Sequence, residues 1–267
     1  MELQDKVAVV TGAGSGIGRA IAQAMAARGA RVAAVDLDAT SAAETARLLM
    51  GSGGKALGVQ ADTSSAADVD RAVSTSVSQL GPLDIMVNNA GIGGSHQRFL
   101  DDDFEDFERT MAVNILGVMV GCQRAARRMV EQGGGTILNT TSIGGINAGP
   151  GVMAYRASKA AVIHLSKSIA IELARAGVRV NCIAPAHIPT GINTTFDQEA
   201  IVRAMQPLQR LASPADVAEA ALYLASDRAA QITGVVLPVD GGTTAGPPPR
   251  PVKDLLAKRT PPPTTKR

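Results

Sequence analysis

Short apolar runs of strand length alternate with longer stretches of helical period through most of this 267-residue chain. The alternation marks a parallel sheet built from βαβ units, because parallel neighbours need a long crossover and a helix supplies it. Strands are predicted near Val7 to Thr11, Arg31 to Asp36, Ala56 to Gln60, Ile85 to Asn88, Thr136 to Thr141, Val178 to Ile183 and Val235 to Val239. Between them, helices are predicted over Ile17 to Arg28, Thr40 to Met50, Ala66 to Leu80, Phe104 to Glu131, Met153 to Ala176 and Pro214 to Ala225. Unbroken apolar runs such as Val7-Ala8-Val9-Val10 fit central strands covered on both faces. The expected fold class is α/β, a doubly wound seven-stranded parallel sheet forming a single domain over residues 1–245.

Composition narrows the function classes. Hydrophobic residues make up 45% of the chain, enough for one substantial core. No apolar run reaches the roughly 18 residues of a membrane span, and the start, Met1-Glu2-Leu3-Gln4-Asp5-Lys6, is polar and acidic, unlike a secretory signal. A cytoplasmic protein without a membrane partner is expected. Cys122 and Cys182 have no second cysteine or histidine at ligand spacing, so they read as buried thiols, and no metal is expected. The net charge is +2, but residues 246–267 hold six Lys/Arg against one acid and seven of the fourteen prolines. They read as a basic, Pro-rich, disordered tail. The body before it is slightly acidic. Aromatics are only 2% of the chain, which argues against base stacking and a nucleic-acid partner.

The first strand runs into Thr11-Gly12-Ala13-Gly14-Ser15-Gly16-Ile17-Gly18 and then a helix. Glycines let the backbone turn sharply and approach a pyrophosphate, whose charge the amides of Ser15, Gly16 and Ile17 at a helix N-terminus receive. Such a string arises by chance roughly 0.3 times in a chain this rich in glycine, so its place between strand and helix carries the weight. The second strand ends at Asp36, where a carboxylate can accept from both hydroxyls of an adenosine ribose. A 2′-phosphate would meet like charge there, and neither Ser15 nor Leu37 offers a cation. NAD is therefore favoured over NADP. Asp62 and Thr63, ending the third strand, are placed to meet the adenine edge. Asn88-Asn89-Ala90-Gly91, ending the fourth, allow close backbone and side-chain amides that tie neighbouring strands.

The fifth strand ends at Ser142, and Tyr155-Arg156-Ala157-Ser158-Lys159 opens a long helix thirteen residues later. Residues four apart share a helix face, so Tyr155 and Lys159 point the same way. The chain has only two tyrosines, which makes this pairing informative. With Gly12 to Gly18, Asn88 to Gly91, Asn114 and Ser142, it resembles the short-chain dehydrogenase/reductase family over residues 5 to about 242.

That resemblance implies a Rossmann-type domain, commonly a homotetramer or homodimer, that moves a hydride between a nicotinamide cofactor and an alcohol or carbonyl. It implies catalytic roles for Asn114, Ser142, Tyr155 and Lys159. Tyr155 would be the general base in oxidation and the acid in reduction, since a neighbouring ammonium and an oxidised nicotinamide favour ionisation of a phenol whose ordinary pKa is about 10. Lys159 would supply that charge and hold the nicotinamide ribose, Ser142 would bond the substrate oxygen, and Asn114 would fix a water leading from Lys159 to solvent. By analogy Pro185, Ile188 and Thr190 contact the cofactor, with Asn89, Ala90 and Gly91 beneath it. Ala186 stands where the family usually has glycine, and accommodation without loss of binding is expected.

Substrate selection falls to loops at Gly91 to Arg98, Ile143 to Met153 and Thr190 to Met205. Ile143, Ile146, Met153, Ile188, Phe196 and Met205 there favour a small-molecule alcohol or ketone that is hydrophobic or cyclic, although Arg98 or His96 could anchor an acidic one. His187 reads as surface decoration more readily than as a substrate contact. Two rivals stay open: an NADP-dependent 3-ketoacyl-thioester reductase of the same fold, disfavoured by Asp36, and a non-catalytic nucleotide-binding scaffold, disfavoured by the intact catalytic set.

Overall fold

The computed structural model describes residues 1–189 and 197–248. Seven strands, β1 (Val7–Thr11), β2 (Arg31–Asp36), β3 (Lys55–Gln60), β4 (Ile85–Asn88), β5 (Gly135–Thr140), β6 (Val178–Pro185) and β7 (Val236–Val239), form one sheet. Their order is β3-β2-β1-β4-β5-β6-β7 and every neighbouring pair is parallel. The order reverses between β1 and β4, which opens a crevice at the carboxyl ends of these central strands.

Side chains alternate across each strand, and the two cores follow that parity. Ala8, Val10, Val32, Ala34, Ile85 and Val87 face α1 (Gly16–Ala27), α2 (Ala39–Gly51) and α8 (Pro214–Ala225). Val7, Val9, Ala33, Val35, Met86 and Ile137 face α3 (Ala66–Leu80), α5 (Gly117–Glu131) and α6 (Met153–Leu173). Each fully buried aliphatic side chain contributes about 1.5–3 kcal/mol. Within the sheet, Asn88 Nδ2 donates to Asn139 Oδ1 at 2.8 Å and Asn139 Nδ2 to Ser166 Oγ at 2.8 Å, so the polar groups buried between strand and helix are matched.

Two helices differ from their sequence reading. The stretch expected as one helix from Phe104 to Glu131 is interrupted: α4 (Phe107–Met111) is followed by a π-helical turn, Ala112–Leu116, and only then by α5. Its start is delayed because the carboxylates of Asp102 and Asp103 accept from the backbone N–H groups of Phe104 and Glu105, both at 3.1 Å, and Phe104 takes φ of 59°. Inside the stretch expected as the loop Thr190 to Met205 lies a short helix, α7 (Gln198–Met205), capped by Asp197, whose Oδ1 accepts from Ala200 N–H at 3.0 Å. Residues 249–267, most of the predicted tail, lie outside the described residues, as do Thr190 and Phe196. Among the described residues no helix is long and apolar enough to cross a membrane, and no cluster of side chains is arranged to hold a metal.

Candidate active site

A cleft of about 440 Å³ opens at the reversal of strand order. Its floor is the glycine loop between β1 and α1. Gly12 and Gly16 sit at φ of 64° and 52°, left-handed values that side chains disfavour. A Cβ on Gly12 would stand 3.0 Å from the Ala90 Cα, and one on Gly14 would stand 2.7 Å from the Asp36 Cγ. The loop is thus wedged between the ends of β2 and β4. Ser15 precedes α1 with no side-chain hydrogen bond to the first turn, leaving those N–H groups and the positive end of the helix for an anion.

At one end Asp36 is held by two backbone donors. Gly14 N–H reaches Oδ2 at 2.8 Å and Asp38 N–H reaches Oδ1 at 3.1 Å, so the carboxylate is fixed with lone pairs still open to the cleft. Arg19, a cation the sequence reading passed over, lies nearby, but its guanidinium donates to the Gly14 carbonyl and, at 2.9 Å, to Thr45 Oγ1. On the β4 side, Asn89 Nδ2 donates to the Thr11 carbonyl at 3.0 Å, stitching the fourth strand's end to the first.

At the other end stand Ser142, Tyr155 and Lys159. Ser142 caps a single 3₁₀ turn beyond β5, its Oγ accepting from Gly144 N–H at 3.1 Å, and it borders the cleft beside Tyr155, whose ionised form it favours. Lys159, only 3% exposed, donates to the Thr140 carbonyl at 3.0 Å and holds its ammonium 5.6 Å from the centre of the Tyr155 ring. Burial pushes Lys159 down to about 8. Burial also raises the Tyr155 phenol, outweighing the Ser142 hydroxyl and the Arg156 charge that lower it. In the protein alone the net direction for the phenol is upward.

Gly12, Ser15, Gly16, Ile17, Asp36, Leu37, Asp62, Thr63, Asn89, Ala90, Gly91, Ser142, Tyr155, Lys159, Pro185 and Ile188 all border this one cleft. Asn114 does not; it sits behind Gly91 in the π turn, fully buried, with its amide engaged by the backbone of Ile92 and by Ser158. Of the other residues expected to shape the substrate side, Ile143, Ile146, Met153 and Met205 do not border the cleft, nor do His96 and Arg98. His187, half-buried, is lowered by burial and then by the Arg156 charge. Ile92, in the loop expected to line the pocket, does border the cleft; sequence reading missed Val113 and Arg109 on its walls, whose one-turn spacing was a signal only once their helix was known to flank the crevice.

A fixed carboxylate, an uncapped helix N-terminus over glycine backbone, and a half-buried tyrosine beside a buried lysine and a serine are the donor and acceptor set that a dinucleotide with a reactive ring would need. The groove's tight glycines leave backbone where a pyrophosphate would be held, so the residues present fit such a cofactor. Fold and site together define a Rossmann-type dinucleotide-binding α/β protein.

Comparison with known proteins makes the class specific. Residues 12–244 match the family model described as enoyl-(acyl carrier protein) reductase. The 2-(R)-hydroxypropyl-CoM dehydrogenase of Xanthobacter autotrophicus is 40% identical over 90% of this chain and 99% of its own length. The D-threitol dehydrogenase of Mycolicibacterium smegmatis is 41% identical over 91% and 94%. Among solved structures, the 3-ketoacyl-(acyl-carrier-protein) reductase from Brucella melitensis complexed with NADH superposes with a TM-score of 0.85 at 40% identity, over 91% of this chain and 99% of that one. The chain belongs to the short-chain dehydrogenase/reductase family and is an oxidoreductase.

Proposed function

We propose that this protein transfers a hydride between NAD(H) and a secondary alcohol or its ketone, hydrophobic or cyclic in character. The observation that carries the reading is the convergence of Ser142, Tyr155 and Lys159 at one end of the cleft whose other end holds Asp36. The bound nicotinamide would supply the hydride acceptor or donor. In oxidation the Tyr155 oxygen takes the proton of the substrate hydroxyl while Ser142 bonds the same oxygen, and in reduction the proton returns from Tyr155. Lys159 sits beside the phenol, where a cation favours the phenolate. Ile92, Val113 and Ile188 give the cleft an apolar wall that favours an uncharged substrate.

NAD is preferred to NADP in this reading because Asp36 faces the ribose position and the guanidinium of Arg19 is already engaged by Gly14 and Thr45. The reductase from Brucella, crystallised with NADH, supports the same choice. It also favours a second reading, reduction of 3-ketoacyl thioesters. A homotetramer or homodimer is proposed as well; it is supported by Leu116 and Met119, each 46% exposed, and by Ile171, 80% exposed, on the helical faces around α5 and α6. Light scattering of the purified protein checks it.

The deciding experiment follows dinucleotide absorbance with cyclohexanol, 2-octanol, lactate and a 3-hydroxybutyryl thioester, each offered NAD and NADP. The reading expects turnover of the first two with NAD and loss of turnover in Tyr155→Phe with dinucleotide binding retained. Preference for the thioester with NADP would establish the second reading, and undiminished turnover in Tyr155→Phe would remove Tyr155 from the chemistry.

A further inference from the structure

Arg156 follows Tyr155 in sequence but turns its guanidinium into the loop that leads from Ser142 to α6. Its Nε donates to the Gly151 carbonyl at 3.2 Å, one terminal nitrogen to Asn147 at 3.2 Å, and the other to Pro150 at 3.4 Å. The planar group lies against the loop so closely that a Cβ on Gly149 would fall 2.9–3.1 Å from three of its atoms. At its start the loop bonds Ser142, through Gly144 N–H, and presses on α6, since a Cβ on Gly145 would stand 2.6 Å from the Lys159 carbonyl carbon. At its end Val152 is held at φ of 46° and ψ of 46°, a left-handed conformation that a β-branched residue adopts only under constraint from its surroundings.

We infer that Arg156 is a positioning residue for the reaction: it clamps residues 144–151 onto α6 and so fixes the distance between the hydroxyls of Ser142 and Tyr155. The contacts close a ring, from Ser142 through the loop to Arg156, along the backbone to Tyr155, and back to Ser142 across the cleft that both residues border. A guanidinium suits this task because its fork offers donors in several fixed directions, which an ammonium on a flexible stem cannot reproduce. Three carbonyls of an exposed loop, otherwise free to turn to water, are thereby directed to one point. Arg156 also brings a permanent positive charge near Tyr155 and His187. The other cation beside the phenol is Lys159 on the same helix, 5.6 Å from the ring centre. Arg156 favours the phenolate by its charge, so removing that charge moves phenol ionisation to higher pH.

The inference rests on the proposed dehydrogenase chemistry for its kinetic arm, but its spectroscopic arm needs neither substrate nor cofactor. The chain has two tyrosines and no tryptophan, so tyrosinate absorbance of the free protein, with Tyr155→Phe as the blank, reports Tyr155 alone. Arg156→Gln is expected to shift the Tyr155 midpoint upward and to lower kcat by about 10²-fold for the best alcohol of the panel above, the scale of a 1 Å misplacement, with KM for NAD unchanged. Arg156→Lys restores the midpoint, because the charge returns, but not kcat, because the fork does not. Gly149→Ala, which keeps the charge and displaces the guanidinium, lowers kcat in the same way. Arg156→Gln and Gly149→Ala proteins that keep kcat within about 2-fold of the parent would overturn the inference. So would losses of kcat matched by equal losses of NADH affinity and melting temperature, since those would mark general support of the fold. An unmoved Tyr155 midpoint in Arg156→Gln would overturn the electrostatic part even if no alcohol is ever turned over.

Discussion

Gly14 N–H donates to Asp36 Oδ2 at 2.8 Å, and a methyl group on Gly14 would occupy space 2.7 Å from the Asp36 Cγ. Gly14 comes from the turn after β1 and Asp36 from the end of β2, so the glycine loop and this carboxylate are one mechanical unit. Asp36→Ala removes the charged acceptor and is expected to weaken NADH by about 10-fold or more, with NADPH weakened less. Gly14→Ala should weaken NADH comparably by pushing the carboxylate aside. Coupled residues give non-additive losses, so the double variant should lose less than the two single effects combined. Fluorescence titration of NADH measures all three; strictly additive losses would show that Gly14 and Asp36 act separately.

The buried Lys159 gives the fold a distinctive pH response. Its folded pKa lies near 8 against an ordinary 10.5. Between those values the unfolded chain holds a proton that the folded one has released, so this group's contribution makes stability rise with pH across that window. Below about 8 both states are protonated and the full cost of burying the ammonium is felt. Above 10.5 it is absent. Urea titrations of the parent and Lys159→Met, compared at pH 7 and above pH 10, should show the parent gaining about 3 kcal/mol relative to the variant. A constant difference would mean that the amine is charged in both states throughout.

The cysteines act in the opposite sense. Cys122 is pushed up to about 12 and Cys182 to about 11, in each case by burial first. Their thiolates are therefore withheld in the folded state, and their contribution to stability falls as pH rises from the ordinary value of 9 toward those values. Neither thiol should react with an aromatic disulfide reagent at pH 8 until denaturant unfolds the chain, which a spectrophotometric thiol count follows directly. Reaction of one equivalent in the native state would contradict the burial of both.

Periodicity was enough to read the sheet: four strands, β1, β2 and β4 among them, begin where the apolar runs begin, because a strand covered on both faces is written into its composition. Boundaries failed where tertiary contacts decide them. The π turn at Ala112–Leu116 follows from no local pattern; it coincides with Asn114, whose amide is bonded by Ile92 and Ser158 from elements far away in sequence. Helix α7 did carry a signal, Asp197 with Glu199 in the first turn, that a search for pocket loops overlooked. In the site, the family pattern carried Tyr155, Lys159 and Ser142. Arg156 stood in plain view within the same motif, but nothing in its spacing indicates that its guanidinium turns back onto the preceding loop.

Asn114 offers the sharpest separation of support from chemistry. Its Oδ1 accepts from Ile92 N–H at 2.9 Å, and its Nδ2 donates to the Ile92 carbonyl and to Ser158 Oγ, both at 3.0 Å. A Cβ on Gly91 would lie 3.2 Å from both Asn114 Oδ1 and Lys159 Nζ, so Gly91 is the spacer between amide and ammonium. Asn114→Ala leaves the Ile92 backbone without partners and should cost about 2 kcal/mol or more in urea unfolding, with the Lys159 pH window unmoved. Asn114→Asp keeps the acceptor for Ile92 N–H but sets an oxygen against the Ile92 carbonyl and against Ser158, whose own hydroxyl already donates to the Tyr155 carbonyl at 2.7 Å. The new carboxylate also stabilises the ammonium across Gly91, raising Lys159 and pushing the lower edge of its stability window above pH 8. If Asn114→Asp lowers stability while leaving that edge in place, the amide serves the Ile92 backbone alone and has no electrostatic hold on Lys159.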